Sequence, residues 1–250
     1  MPNKILPYLF ANWKMYLDYE ESDALAKALA RKKFPGVKMA VFPSALAAPA
    51  AAKQLAKTDI GVGAQNVYWE SKGGYTGEVS ASMYKNIGAS YALVGHSERR
   101  HLFRESNHEV RQKLEAILAA DLTPVLCVGE TDEERQKRQT EEVVEAQLKA
   151  AFSNLAWPRE RELIIAYEPV WAIGTGLACD PKEAERMHTL IIKLAKGLMA
   201  DVEPILLYGG SVKPENAREY FLEKNIHGVL VGGASVKLES WLKLVDAVSS

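Results

Sequence analysis

The feature that most constrains this chain is an alternation. Short runs of β-forming apolar residues, at 8–12, 38–42, 60–64, 91–94, 123–128, 163–166, 205–208 and 228–231, are each followed by a longer segment of helical period. Most of these runs are nearly continuous in apolar residues, the pattern of parallel strands buried on both faces. Between them, Val110, Leu114, Ile117 and Leu118 share one face of a 3.6-residue period. So do Val144, Leu148 and Ala151, and again Met187, Leu190, Ile191, Leu194 and Leu198. Thr131 followed by Glu134 reads as a capping box. Asp180-Pro181-Lys182-Glu183 reads as an N-cap, a proline at the first helical position and an acid in the first turn. Eight strand–helix units, with no linker rich in Pro, Gly or Ser, predict one α/β domain spanning residues 1–250. Strict alternation of this length fits a closed (β/α)8 barrel better than an open sheet. An open doubly wound sheet would more often carry G-x-G-x-x-G after its first strand. The nearest string here, Gly61-Val62-Gly63-Ala64-Gln65-Asn66, fails at its last position, and there is no P-loop.

Composition narrows the partners. A formal net charge of −1 gives no long-range attraction to nucleic acid or a membrane surface, so any anion has to be held by a local site. Hydrophobic residues at 48% and charged residues at 25% are the balance of an ordinary soluble globular protein. Only two cysteines occur, Cys127 and Cys179, and no disulfide framework is expected of them. The first residues lack the long apolar core of a signal peptide, and no apolar run approaches the ~20 residues of a membrane span. The expectation is a soluble cytoplasmic protein without nucleic-acid or membrane partners.

Active sites of (β/α)8 barrels are built from the loops at the C-terminal ends of the strands. There the chain places polar residues that a core would not want: Asn12-Trp13-Lys14, Gly95-His96-Ser97-Glu98 and Tyr167-Glu168-Pro169, after strands one, four and six. Strands seven and eight end in Tyr208-Gly209-Gly210-Ser211 and Gly232-Gly233-Ala234-Ser235. Each has a structural reading when taken singly. Lys14 and Glu98 could form an ion pair, His96 could be a hydrogen-bonded core histidine, Glu168 could cap the next segment, and the glycines could make tight turns. Together, at one end of one barrel, they read as a single site. Paired glycines let backbone N–H groups approach an anion closely, and loops seven and eight are the frequent phosphate site of this fold. A phosphorylated small molecule is therefore the leading ligand class. The five histidines, His96, His101, His108, His188 and His227, show no metal-like spacing, so neither metal nor organic cofactor is expected.

These residues resemble the triosephosphate isomerase family. The likeness is carried by Asn12-Trp13-Lys14, Gly63-Ala64-Gln65-Asn66, Tyr75-Thr76-Gly77-Glu78, Val94-Gly95-His96-Ser97-Glu98-Arg99-Arg100 and Cys127-Val128-Gly129-Glu130. It continues through the unbroken run from Ala166 to Gly176, Tyr208-Gly209-Gly210-Ser211-Val212 and Gly232-Gly233-Ala234-Ser235. The resemblance implies interconversion of dihydroxyacetone phosphate and glyceraldehyde 3-phosphate through an enediolate. It implies Glu168 as the base, a neutral His96 polarising the substrate oxygens, and Lys14 supplying positive charge with Asn12 and Glu98 in support. Backbone N–H groups of Gly174, Ser211, Gly232 and Gly233 would hold the phosphate. Residues 169–179 would form a closing lid supported by Tyr208 and Trp171. Residues 65–78, long for a βα connection, would insert into a second subunit. That makes a homodimer, with Thr76, Met15 and Gln65 at the contact.

Two departures stand out. Where the family usually has lysine, threonine or valine, then alanine, this chain has Leu177-Ala178-Cys179, at the C-terminal hinge of the lid. Ser80-Ala81-Ser82 also differs from the commoner Ser-Pro-Gly or Ser-Pro-Ala. Two other readings stand beside the resemblance. A related phosphate-binding barrel isomerase acting on another sugar phosphate would need a pocket not covered by residues 169–176. A non-catalytic barrel would show the loss of Glu168, His96 or Lys14, and all three are present.

Overall fold

Residues 6–173, 178–199 and 201–249 are described by the computed structural model of the chain. Eight parallel strands pair in sequence order: β1 (Tyr8–Asn12), β2 (Lys38–Phe42), β3 (Gly61–Ala64), β4 (Tyr91–Val94), β5 (Thr123–Val128), β6 (Leu163–Tyr167), β7 (Pro204–Tyr208) and β8 (Gly228–Val231). β8 pairs back onto β1, with Tyr8 opposite Gly228, and closes the barrel. Five strands have the bounds expected from sequence. β3 begins at Gly61 rather than residue 60, since its first partner on β2 is Gly61 opposite Ala40. β6 gains Tyr167, and β7 gains Pro204, which pairs with Leu163. A proline is tolerated there because the first residue of a strand can forgo a ladder N–H.

The covering helices are α1 (Tyr19–Ala30), α2 (Ala48–Leu55), α3 (Ala81–Asn86), α4 (Ser97–His101), α5 (Asn107–Ala119), α6 (Asp132–Gln136), α7 (Thr140–Phe152), α8 (Pro181–Leu198), α9 (Pro214–Phe221) and α10 (Leu238–Ser249). The alternation is therefore not one helix per strand. α4 and α6 are each five residues long, too short to show a helical period, and each precedes the longer helix that covers the barrel. The expected caps are present. Thr131 accepts from the Glu134 N–H at the head of α6, and Asp180 from the Lys182 N–H at the head of α8. Val110, Leu114, Ile117, Val144, Leu148, Ala151, Met187 and Ile191 are buried as the periodicity requires. Leu118, Leu190, Leu194 and Leu198 are only half-buried, on the flanks of that stripe.

Alternating strand residues feed two cores. Leu9, Ala11, Met39, Val41 and Val62 face the helices, while Tyr8, Phe10, Ala40, Phe42, Tyr91, Leu93, Cys127, Ile164, Ala166 and Leu230 fill the barrel. Phe10 packs on Phe42 and Tyr91 with ring centroids 5.5 and 5.0 Å away. β3 makes that possible. A Cβ on Gly63 would stand 2.2 Å from the Phe42 ring, and one on Gly61 2.6 Å from the Tyr91 ring. The Gly-Val-Gly run is thus a packing device, not a nucleotide loop. At the N-terminal end, Glu162 accepts from the Tyr8 hydroxyl at 2.6 Å and the Lys38 ammonium at 2.5 Å. Both cysteines are free and buried. Among the described residues no helix is long and apolar enough to cross a membrane.

The same two-residue period positions the site. Continuing Tyr8 and Phe10, or Gly61 and Gly63, or Ile164 and Ala166, brings Asn12, Gln65 and Glu168 to the inward face at the C-terminal mouth of the barrel.

Candidate active site

At the end of β1 the backbone is bent to aim a lysine across the barrel mouth. Asn12 Oδ1 accepts the Lys14 N–H at 3.0 Å. Gln65 Nε2 donates to the Lys14 and Phe42 carbonyls at 2.8 and 2.9 Å. Held on both sides, Lys14 takes a φ of 48°, a left-handed conformation uncommon for a residue with a side chain. Such strain persists only where surrounding contacts enforce it, and it gathers at functional sites. The ammonium reaches Glu98 Oε1 at 2.7 Å. Gly232, at the end of the neighbouring β8, gives it room, since a Cβ there would come within 3.1 Å of Lys14 Cε.

β4 delivers the imidazole. Gly95 has φ 70°, and its carbonyl accepts from Arg100 Nε at 2.7 Å, turning the chain into α4 with His96 as N-cap. His96 Nδ1 accepts the Glu98 N–H at 3.3 Å, which leaves the ring proton on Nε2. That Nε2 lies 3.0 Å from Glu168 Oε1. Glu168 is 2% exposed, and its second oxygen accepts the Ser97 N–H at 2.7 Å. A carboxylate so deeply placed is tolerated because the Ser97 N–H donates to one oxygen and His96 Nε2 stands beside the other.

These groups open on a cavity of about 370 Å³, lined also by Ile173, Ser211, Lys213, Gly232 and Gly233. Of the glycines, Gly233 faces open space. The pair at 209–210 has a steric task instead. A Cβ on Gly209 would sit 2.8 Å from Glu168 Cγ, and one on Gly210 2.1 Å from the Tyr208 hydroxyl. The Ser211 hydroxyl donates to the Ala172 carbonyl at 2.6 Å, so only its backbone N–H is free to serve the pocket. Gly174 and Leu177 lie outside the described residues.

The two residues expected to support the lid stand at the two ends of residues 169–179. Trp171 Nε1 donates to Glu130 Oε1 at 2.8 Å, with the Arg135 guanidinium 3.6 Å from its ring centroid. Tyr208 accepts the Cys179 N–H at 3.2 Å. Glu130 was not singled out from sequence, although its signal is that of Glu168: a carboxylate ending a continuous apolar strand. It is buried, takes a further bond from the Tyr167 hydroxyl at 3.1 Å, and burial pushes its carboxyl pKa up. Arg100, Lys213 and Tyr16 were also missed. Arg100 is visible only as the partner of a bent carbonyl, and the other two only as cavity lining.

Of the expected subunit contacts, Thr76 is exposed and Met15 is 95% exposed. The Gln65 amide is committed within its own chain, to Lys14 and Phe42. The base of its loop is anchored by Lys113 Nζ on Asn66 Oδ1 at 2.9 Å, and residues 70–78 are exposed.

Fold and site together define a class: a (β/α)8 barrel whose C-terminal mouth brings a carboxylate, an imidazole and an ammonium to one cavity. The family pattern described as triosephosphate isomerase matches residues 7–248. The triosephosphate isomerase of Rhodopirellula baltica is 40% identical over the whole of both chains. That of Roseiflexus sp. is 42% identical over 96% of each, and that of Endomicrobium trichonymphae 41% over 96% of this chain and 97% of its own. The chain belongs to the triosephosphate isomerase family.

Proposed function

We propose that this chain interconverts dihydroxyacetone phosphate and D-glyceraldehyde 3-phosphate by moving a proton between C1 and C2 through an enediolate. The observation that carries the reading is the pairing of Glu168 with His96 Nε2 at 3.0 Å beside the Lys14 ammonium. Glu168 takes the proton from one carbon and returns it to the next. As the carbonyl becomes an enediolate, His96 Nε2–H and Lys14 supply hydrogen bonds to the oxygens that gain charge. Asn12 and Gln65 hold the Lys14 backbone, and Glu98 orients its ammonium. Backbone N–H groups of Gly174, Ser211, Gly232 and Gly233 grip the phosphate, and residues 169–179 exclude water as a lid.

No single group suffices. A placed general base contributes about 10²–10⁴, or ~3–5 kcal/mol. One preorganised donor to an oxyanion contributes ~3–4 kcal/mol. Enzymes lower barriers by ~8–23 kcal/mol, so base, donors, cation and phosphate grip must act together. A dehydrogenase-coupled assay on glyceraldehyde 3-phosphate tests the reading. Saturable turnover is the expected result, and no turnover above the uncatalysed rate would refute it.

A cytoplasmic homodimer completes the proposal. Two free cysteines and no disulfide suit a reducing compartment. Met15, Tyr16, Leu46, Tyr75, Leu102 and Phe103 expose 95, 60, 76, 41, 73 and 67% of their surface on the connections that follow β1 to β4. Monomers rarely leave so much apolar surface together. A twofold pairing covers it, with the loop of residues 65–78 seated in the partner, Thr76 near the partner's Asn12 and Glu98, and Met15 against that loop. Thr76→Arg puts a charge into this contact. Light scattering is expected to find monomers, with kcat lowered by at least about tenfold, ~1.4 kcal/mol. An active wild-type monomer at micromolar concentration would overturn the pairing.

A further inference from the structure

Lys213 lines the same cavity as Glu168 and Lys14, from the turn between β7 and α9. Asn216 pins that turn: its Nδ2 donates to the Ser211 carbonyl at 3.2 Å, and its Oδ1 accepts the Lys213 N–H at 2.8 Å. The Lys213 carbonyl accepts from the Asn216 and Ala217 N–H groups at 3.2 and 3.0 Å. Both backbone polar groups are thus used in starting α9, and what the residue has left to offer the cavity is its ammonium. The residue is exposed, and among the described residues no carboxylate pairs with that ammonium. Lys14 differs, because its ammonium lies 2.7 Å from Glu98 Oε1. Among the carboxylates and ammoniums of the cavity, with Glu98 attached, Glu98 and Glu168 outnumber Lys14 by one negative charge, and Lys213 restores the balance. A phosphate monoester carries about −1.5 to −2 at neutral pH. Without Lys213 it would approach a site of its own sign, and the chain's net charge of −1 gives no long-range help.

We propose that Lys213 is a specificity-determining residue for phosphorylated substrates, a rim cation that draws the phosphate into the cavity beside Ser211, Gly232 and Gly233. It acts as a hydrated point charge on a flexible four-carbon stem, and not through a shaped hydrogen bond. Its work is done before the proton moves, so it bears on capture of the substrate. Lys14, assigned to both phosphate and enediolate, bears on capture and chemistry alike. The proposal rests on the reading of the substrate as a triose phosphate.

Lys213→Met keeps the backbone bonds to Asn216 and Ala217, so the start of α9 is retained. At ~0.01 M ionic strength, where the Debye length is about 30 Å, kcat/KM for glyceraldehyde 3-phosphate should fall about threefold or more, the loss lying in KM rather than kcat. Lys213→Glu changes the charge by two units and should lose about tenfold or more, whereas Lys213→Arg should match the wild type. Both losses should largely vanish at ~1 M ionic strength, where the Debye length is about 3 Å. Turnover of glyceraldehyde, which has no phosphate to attract, should be alike in the wild type and all three variants. A loss that persists at high salt, extends to glyceraldehyde or is not rescued by arginine would mean a structural role and overturn the proposal. So would wild-type kcat/KM for Lys213→Glu at low salt. Calorimetric titration with inorganic phosphate keeps the proposal apart from the functional reading. Weaker phosphate binding by Lys213→Met would support the rim cation even if the wild type failed to isomerise glyceraldehyde 3-phosphate, and equal binding would overturn it.

Discussion

Glu168→Gln is expected to cut kcat by about 10²–10⁴, ~3–5 kcal/mol, while KM stays near the wild-type value. The glutamine is nearly isosteric but has no basic oxygen to take a proton from carbon. Its environment adds a second cost. Glu168 now accepts the Ser97 N–H on one oxygen at 2.7 Å and faces His96 Nε2 with the other at 3.0 Å, and an amide offers an acceptor on only one of those two sides. One donor must then face an NH₂ group, so the side chain is held less well as well as being chemically inert. The phosphate grip proposed for backbone N–H groups elsewhere in the cavity should be spared. Steady-state kinetics in both directions decide it. A kcat within about tenfold of wild type, less than ~1.4 kcal/mol of transition-state stabilisation, contradicts the assignment of the base.

Lys14→Met should raise KM and lower kcat together, with kcat/KM down by about 10³, ~4 kcal/mol, roughly the worth of one oxyanion donor in a dry site. Methionine keeps the stem that packs near Gly232 and, having a Cβ as lysine has, adds no backbone strain at φ 48°. The fold should tolerate the change. The partner carboxylate, Glu98, is 41% exposed on its side chain and can be resolvated, and partly exposed ion pairs contribute only ~0–1 kcal/mol. A large activity loss with little change in Tm therefore separates a role in the reaction from a role in folding. The measurement belongs at low ionic strength, where salt screens the attraction between a cation and an anion least. Unchanged kcat/KM under those conditions would remove Lys14 from the mechanism.

The barrel was legible because its signals are local. Apolar runs of four to six residues define β1 to β8, and the capping residues at Thr131 and Asp180 mark helix starts in the sequence itself. The short α4 and α6 were not legible, since five residues cannot display a period of 3.6. Site residues divide the same way. Asn12, His96 and Glu168 stand out as polar groups ending apolar strands. Gln65 shares their inward parity, yet its two bonds to the Lys14 and Phe42 carbonyls depend on the closure of β1, β2 and β3 around it. Glu130 was passed over because its partners, Tyr167 and Trp171, lie about forty residues along the chain. The glycine pair at 209–210 carries an ambiguous signal. Glycine admits an approaching anion and an approaching side chain equally, and only the positions of Glu168 and Tyr208 show that this pair makes room for side chains.

The central claim is that Glu168 carries a proton between adjacent carbons, and the most direct test is to run the reaction in D₂O. A proton resting on a carboxylate can exchange with solvent, whereas a hydride passed from carbon to carbon cannot. Starting from glyceraldehyde 3-phosphate, NMR of the product should find dihydroxyacetone phosphate with deuterium at C1 in a substantial share of the molecules. Dihydroxyacetone phosphate formed at the full rate and wholly free of deuterium would contradict the account.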